Sequence, residues 1–208
     1  MCRTLQERRS FSPFVKTAVC LDATVSMLNI GKQEADKKDL GNMIFVKGYA
    51  EELPFLDNSF DIVFSRLAFH HFIDVHEVFF EMVRVLKPDG KLVMIDMEAA
   101  DEPLRKIKDE IETLRDQSHV KNLSKSEMLN LYKTNGIEVE KCETTEMPQS
   151  LENWLALTQT PEHVSEDVRK RMKADINGQD KTGFFPYIKN GEIFFNQKWV
   201  LIVGKKTK

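Results

Sequence analysis

Cysteine is nearly missing from this chain: Cys2, Cys20 and Cys142 are the three in 208 residues. Three widely spaced thiols make neither an even disulfide set nor a metal-ligand spacing, so they read as free thiols in a reducing compartment. Glycine and proline are sparse as well, and no Gly-x-Gly-x-x-Gly follows any candidate strand, which counts against a nicotinamide dehydrogenase. No apolar stretch approaches the length of a membrane-spanning helix, and residues 1–9 lack the apolar centre of a signal peptide. The expectation is therefore a cytoplasmic protein without a membrane partner. Neither sign of charge dominates, since 30 Lys and Arg against 33 Asp and Glu leave a formal charge of −3. That balance exerts no pull toward nucleic acid, and Lys205, Lys206 and Lys208 read as a solvated terminus.

What is present is the composition of an ordinary globular protein, with 41% apolar and 30% charged residues in a length suited to one domain. Short β-rich runs alternate with amphipathic helical runs, the pattern of βαβ units on a mostly parallel sheet. Strands are expected at residues 16–21, 43–46, 60–65 and 91–97. The third reads as buried because most of its side chains are apolar. Thr24 is a plausible N-cap for a helix carrying Val25, Leu28 and Ala35. The strongest helix carries Val75, Val78, Phe79, Met82, Val83 and Leu86 as one apolar stripe, with Asp74 as its cap and Pro88-Asp89-Gly90 as its stop. Further on, a charged helix is expected over residues 103–115 and a short one starting at Ser124 with Glu127 at its third position. An edge strand follows at 137–142, then a helix on Val164, Val168, Met172 and Ile176. A tight hairpin at Asn190-Gly191 leads into a last apolar strand at 199–203.

In an open parallel sheet, ligands bind beyond the carboxyl ends of the strands. That rule selects Asp22 and Ala23, residues 48–51, residues 65–71 and residues 96–98. A carboxylate ending a strand can accept both hydroxyl hydrogens of a ribose, which suits Asp22; capping the next helix is the other reading of the same residue. Gly48 either permits close backbone approach to a ligand or simply makes a turn.

Five segments taken together carry a resemblance. They are Cys20-Leu21-Asp22-Ala23-Thr24-Val25-Ser26-Met27-Leu28, Gly48-Tyr49-Ala50-Glu51-Glu52-Leu53-Pro54-Phe55, Phe60-Asp61-Ile62-Val63-Phe64-Ser65-Arg66, Ala68-Phe69-His70-His71-Phe72 and Arg84-Val85-Leu86-Lys87-Pro88-Asp89-Gly90-Lys91-Leu92. This constellation resembles the class I S-adenosylmethionine-dependent methyltransferases, and within them the large group similar to ubiquinone and menaquinone biosynthesis methyltransferases. The resemblance is strong over residues 15–97. It continues faintly through Arg115-Asp116-Gln117-Ser118-His119-Val120, which is similar to an Asp-Pro-Ser-His stretch of some bacterial members.

The resemblance implies a Rossmann-like α/β sheet, mostly parallel with an antiparallel C-terminal strand and helices on both faces. Residues 1–208 would form a single domain, with a cofactor-binding half at 15–97 and acceptor-side helices and a hairpin at 98–208. It further implies S-adenosylmethionine as cofactor, with Asp22, flanked by Ala23 and Met27, holding the ribose. Tyr49, Ala50 and Glu51 would face the adenine, with Gly48 also in the cofactor site, and Ser65, Arg66 and Leu67 would line the reactive side. Two departures stand out. Tyr49 occupies the position of the family's usual Asp, where a phenol can accept from the adenine amino group or stack on the ring. The family's first strand and glycine-rich loop have no counterpart in the residues before position 16, and residues 1–9 look like a remnant of the helix that would follow that loop. The missing strand belongs between those at 16–21 and 60–65. The gap could be closed by direct pairing of its neighbours, by a partner chain such as a second copy in a homodimer, or by the N-terminal segment.

Transfer of a methyl group needs a base only when the acceptor must lose a proton. His70, His71 and His119 are the candidates. The competing reading has one of the adjacent pair packed under the loop and the other capping the helix at Asp74. Metal binding is not expected, because no carboxylate or thiolate stands at a familiar spacing from them. His163 and Asp116 read as structural. Trp154, Phe184, Phe185, Tyr187 and Trp199 could roof an apolar acceptor pocket or form core. The function expected is S-adenosylmethionine-dependent methylation of a small molecule. The alternative is a catalytically silent relative that keeps the fold for binding or regulation.

Overall fold

A computed structural model describes residues 12–207. After a single 3-10 turn at Ser12–Phe14 the chain runs β1 (Ala18–Asp22), α1 (Val25–Asp36), β2 (Met43–Lys47), β3 (Phe60–Arg66), α2 (Val75–Val85), β4 (Leu86–Met97) and α3 (Arg105–Arg115). It continues through α4 (Lys125–Thr134), β5 (Ile137–Ser150), α5 (Leu151–Leu157), α6 (Glu162–Ile176), β6 (Tyr187–Lys189) and β7 (Glu192–Lys206). The alternation expected from the hydrophobic pattern is therefore present. β3 and β4 pair in parallel, and β7 runs antiparallel between β4 and β5 in the order β3-β4-β7-β5. β3, β4 and β5 thus share one direction, with β7 as the antiparallel C-terminal strand. β5 lies at the edge, as its alternating character predicts, but extends well past Cys142 to Ser150.

One expectation is corrected. The first four strands do not share one sheet: β1 and β2 pair in parallel as a separate two-stranded sheet, in register from Ala18↔Met43 to Asp22↔Lys47. The division falls between β1 and β3, where the resemblance puts the family's first strand, and β1 does not pair directly with β3. The separation extends to the cores. Neither hydrophobic core contains a residue of β1, α1 or β2, whose own buried side chains are Cys20, Leu28 and Ala35. The helical remnant read at residues 1–9, and Cys2 with it, lie outside the described residues.

The larger core joins α2 and α4 to the sheet through Val78, Phe79 and Met82, Leu131 and Tyr132, and Leu92, Met94, Val200 and Ile202. A second core packs Ile111 of α3, Trp154 and Leu155 of α5, and Val168 and Met172 of α6 around Phe184 and Phe195. Each such large apolar side chain removed from water contributes about 1.5–3 kcal/mol. Trp154, Phe184 and Phe195 meet edge to face with centroids 5.0–5.4 Å apart, so Trp154 and Phe184 are core rather than a pocket roof. Phe185 is exposed, and the Tyr187 hydroxyl lies 3.1 Å from Asn196 Oδ1.

Several local readings are refined by the packing. Asp74 caps α2 by accepting from the backbone N–H groups of His76 and Glu77, and Ser124 with Glu127 closes a complete capping box on α4. Thr24 stands at the N-cap of α1, but its side chain makes no capping bond and Val25 is exposed. The N-terminal half of β3 is not buried, since Asp61 and Ile62 face solvent. Pro88-Asp89-Gly90 does not end a loop before β4 but forms an irregularity within it, between the pairs Phe60↔Leu86 and Ile62↔Lys91. Lys205 and Lys206 are not a solvated tail: Lys205 pairs with Asp89 at 2.7 Å, and Lys206 donates to the carbonyls of Val83 and Leu86 at the end of α2. A cation there complements the negative end of the helix dipole. Asn190 and Gly191 both take positive φ in the β6–β7 hairpin, as a tight turn requires.

β7 passes so close beneath α4 that a side chain at Gly204 has no room. A Cβ there would lie 2.5 Å from Ile137 Cγ2 and 2.8 Å from Tyr132 Cδ1. Gly204→Ala is therefore expected to lower stability by about 1–3 kcal/mol, the usual cost of overpacking. Chemical denaturation checks this, and an unchanged midpoint would contradict the close approach.

Candidate active site

The carboxyl ends of β3 and β4 are tied together by one carboxylate. Asp96, 1% exposed, accepts at Oδ2 from the backbone N–H of Ala68 (3.0 Å) and Phe69 (2.8 Å). Its Oδ1 accepts from His70 Nδ1 (2.7 Å) and the Met97 N–H (2.8 Å). To present those two N–H groups the chain turns sharply after β3, and Leu67 takes the left-handed conformation at φ +49°, rare for a branched side chain. Ser65 and Arg66 just before it are buried, with the Arg66 guanidinium 4.8 Å from the centre of the Trp199 ring.

Three histidines gather on this turn. The ring centroid of His70 lies 4.1 Å from that of His71 and 5.7 Å from that of His119. His70 and His119 are buried, and the backbone N–H of Val120 donates to the His70 carbonyl at 2.8 Å, which seats the loop after α3 on the turn after β3. Burial alone would push the His70 ring toward its neutral form. The charge of Asp96 and the hydrogen bond to it outweigh that, helped by Glu112 and Asp116, and hold its pKa above the ordinary value. Asp96 is held below the ordinary carboxylate value against its own burial, by His70 and by the backbone donors.

His71 is the opposite case. Partial burial, followed by the neighbouring His70 charge, pushes its pKa down. Ser118 Oγ donates to Asp116 Oδ1 at 2.6 Å and so faces His71 as an acceptor at 3.1 Å, beside the Ser118 carbonyl at 3.0 Å. His71 Nδ1 therefore carries the proton, which leaves the Nε2 lone pair uncommitted among the described residues. His119 donates from Nε2 to Asp109 Oδ1 at 3.1 Å. Neither member of the adjacent pair caps α2, a role Asp74 fills. Asp116, read as structural from sequence, ends α3 and orients Ser118 toward His71; its own carboxyl is held low by those bonds against burial. His163 sits within α6.

The residues read as the nucleoside site lie on the other sheet. Asp22 ends β1, and its Oδ1 accepts from the Thr24 N–H (2.9 Å) and hydroxyl (2.7 Å), while Oδ2 has no partner among the described residues. One oxygen of Asp22 thus orders the turn into α1. Gly48 follows β2, and its N–H donates to the Asp22 carbonyl at 3.2 Å. A Cβ on Gly48 would meet Leu21 Cδ1 at 3.0 Å and Pro54 Cδ at 3.3 Å, so the glycine sits in a tight place. Tyr49 is exposed, Ala50 and Glu51 are half-buried, Ala23 is exposed and Met27 half-buried on α1. Among the described residues no group of three His, Cys, Asp or Glu could hold a metal ion.

Sequence reasoning placed the rim and its histidines but missed Asp109, Ser118 and the linking role of Asp96. The signal for Ser118 was available in its position between Asp116 and His119; for Asp109 there was none, because the partner it binds lies ten residues away across a loop.

The family described as a methyltransferase domain matches residues 2–94. The uncharacterized protein YafE of Escherichia coli is 38% identical over 156 residues, covering 74% of this chain and 75% of YafE. The uncharacterized methyltransferase YcgJ of Bacillus subtilis is 33% identical over 199 residues, covering 95% of this chain and 79% of its own. Its crystal structure superposes with a TM-score of 0.85 at 31% identity over 96% of this chain and 86% of that one. A phosphoethanolamine N-methyltransferase of Haemonchus contortus, solved with S-adenosylhomocysteine, shares the fold at a TM-score of 0.64 and 18% identity, over 97% of this chain and 46% of that one. Spanned almost end to end by YcgJ in both sequence and structure, the chain belongs to the class I S-adenosylmethionine-dependent methyltransferase family.

Proposed function

We propose that this protein transfers a methyl group from S-adenosylmethionine to a small-molecule acceptor, with Asp22 gripping the cofactor's ribose and His71 taking the acceptor's proton. The observation that carries the reading is the divided carboxylate of Asp22: Oδ1 is spent on Thr24 while Oδ2 has no partner among the described residues, at the end of a strand, where a ribose hydroxyl is bound in such sheets. The residues present fit the nucleoside half of the cofactor, with exposed Tyr49 offering a ring face or phenol to adenine. Bound S-adenosylmethionine supplies a methyl group on a sulfonium, a good leaving group, so orientation and exclusion of water provide most of the acceleration.

The histidines divide the remaining work. His70, fixed by Asp96, holds the turn, and the carboxylate beside it favours its protonated form. His71, neutral and with Nδ1 committed to Ser118, accepts at Nε2 the proton that an acceptor hydroxyl or amine loses as it is methylated. His119 positions the loop through Asp109.

Two outcomes are expected. Asp22→Ala should weaken S-adenosylmethionine binding, read by calorimetry, by about 1.5–3 kcal/mol, the range for a hydrogen bond to a charged group. Unchanged affinity would remove Asp22 from the site, and no binding to the parent chain at millimolar cofactor would favour the silent relative. For His71, the unprotonated ring is the active form. Turnover to S-adenosylhomocysteine should therefore be retained at neutral pH and lost as pH falls through a midpoint below 6.5, the ordinary histidine value. His71→Gln should abolish that limb and slow turnover by about 10²–10⁴-fold. A full rate in the variant would leave His71 a purely structural role.

A further inference from the structure

The residues assigned to the nucleoside and the histidine assigned to the acceptor stand on different parts of the molecule. Asp22 and Gly48 belong to the two-stranded sheet and the chain leaving it, whereas His71 belongs to the rim of the larger sheet. In-line methyl transfer needs those parts held in a fixed relation. Residues 48–59 run from one to the other, and a pair of charged side chains on α2 grips them.

Arg84 makes five hydrogen bonds, the full donor capacity of a guanidinium. Two go to Glu81, from Nε to Oε1 at 2.6 Å and from Nη2 to Oε2 at 2.7 Å. The other three leave the helix: Nη2 donates to the Leu53 carbonyl at 2.9 Å, and Nη1 donates to the Phe55 carbonyl at 2.8 Å and to Asp57 Oδ1 at 2.7 Å. Glu81 Oε2 in turn accepts from the Leu53 N–H at 2.8 Å, so both backbone groups of Leu53 are held, one by each member of the pair. The end of α2 adds two further bonds, with the N–H groups of Asn58 and Ser59 donating to the carbonyls of Arg84 and Val85.

An i, i+3 pair serving the helix alone would lie along its surface and need no loop. Glu81 is instead buried, at 8% exposure. The grip reaches the nucleoside side by two routes. Pro54 lies between the two held carbonyls, its Cδ 3.3 Å from where a Cβ on Gly48 would stand, and the Gly48 N–H is bonded to the Asp22 carbonyl. Glu52, next to Leu53, pairs with Tyr49 in an antiparallel bridge that closes the turn carrying exposed Tyr49, while Ala50 of that turn packs on the larger core.

We infer that Arg84 and Glu81 are positioning residues of the nucleoside site: without touching the ligand, they fix the turn at residues 48–52, and with it Tyr49 and the end of β1, against the body that carries the histidines. That the ligand is S-adenosylmethionine rests on the methyl-transfer reading; that the clamp sets the turn does not.

Arg84→Lys keeps the charge and loses the planar fork, which makes it the variant of choice. In the full chain without ligand, it should speed amide hydrogen exchange at both Leu53 and Gly48 by about tenfold, the loss of roughly one bond to a charged group, and leave the amides of α4 at the parent's rate. Faster exchange at Leu53 with Gly48 unchanged would confine the clamp to its own loop, and faster exchange in α4 as well would show a general loss of stability; either overturns the proposal. Calorimetric titration with S-adenosylhomocysteine supplies the second reading. Affinity should fall about tenfold in Arg84→Lys but less than about threefold when Tyr49→Ala is already present, because both changes remove the same contact. Equal losses in the two backgrounds, or none in either, would overturn the positioning role. A parent chain that shows the expected exchange pattern yet binds no S-adenosylhomocysteine at millimolar concentration would defeat the methyl-transfer reading alone.

Discussion

The rim of this protein depends on a buried carboxylate. Asp96 is taken almost wholly out of water, which would be costly for an isolated ion, and each of its oxygens accepts two hydrogen bonds. Three of those bonds come from the backbone on either side, so the carboxylate fixes the turn after β3 relative to β4. The fourth comes from His70, whose positive form it stabilises. The left-handed Leu67, the burial of His70, and the seating of the 116–122 loop on the His70 carbonyl all follow from that arrangement.

A second consequence is electrical. Two adjacent histidines in water would titrate alike, yet here they are driven apart: His70 faces Asp96 and is raised, while His71 faces Ser118 and His70 and is lowered. A pair of like groups separated in this way favours the cation on one ring and the neutral base on the other within the same dipeptide. The asymmetry lies in what each ring touches, which is set by the turn and hence by Asp96.

Much of the fold was legible because it rests on local signals. The stripe of Val75, Val78, Phe79 and Met82, the capping box at Ser124 and Glu127, and the Asn190-Gly191 turn each write their structure within a few residues. What was not legible depends on pairings across the chain. The split between β1 and β3, the irregularity at Pro88-Asp89-Gly90 and the extension of β5 to Ser150 depend on what lies beside each strand. The site divides the same way. Asp22 and the histidines were selected by the rule that ligands lie beyond strand ends, whereas Ser118 and Asp109 belong to a helix and loop that meet the rim only in three dimensions. The tail lysines erred for the same reason, since the acceptors of Lys206 lie more than a hundred residues earlier.

The most direct test of this account is the protonation of the two adjacent rings, read from imidazole ¹⁵N shifts through a pH titration of the uniformly labelled protein. The account predicts that His70 remains doubly protonated above the pH at which an ordinary histidine is neutral, while His71 is already neutral there and carries its proton on Nδ1. A neutral His70 below pH 6.5, or His71 with its proton on Nε2, would contradict it.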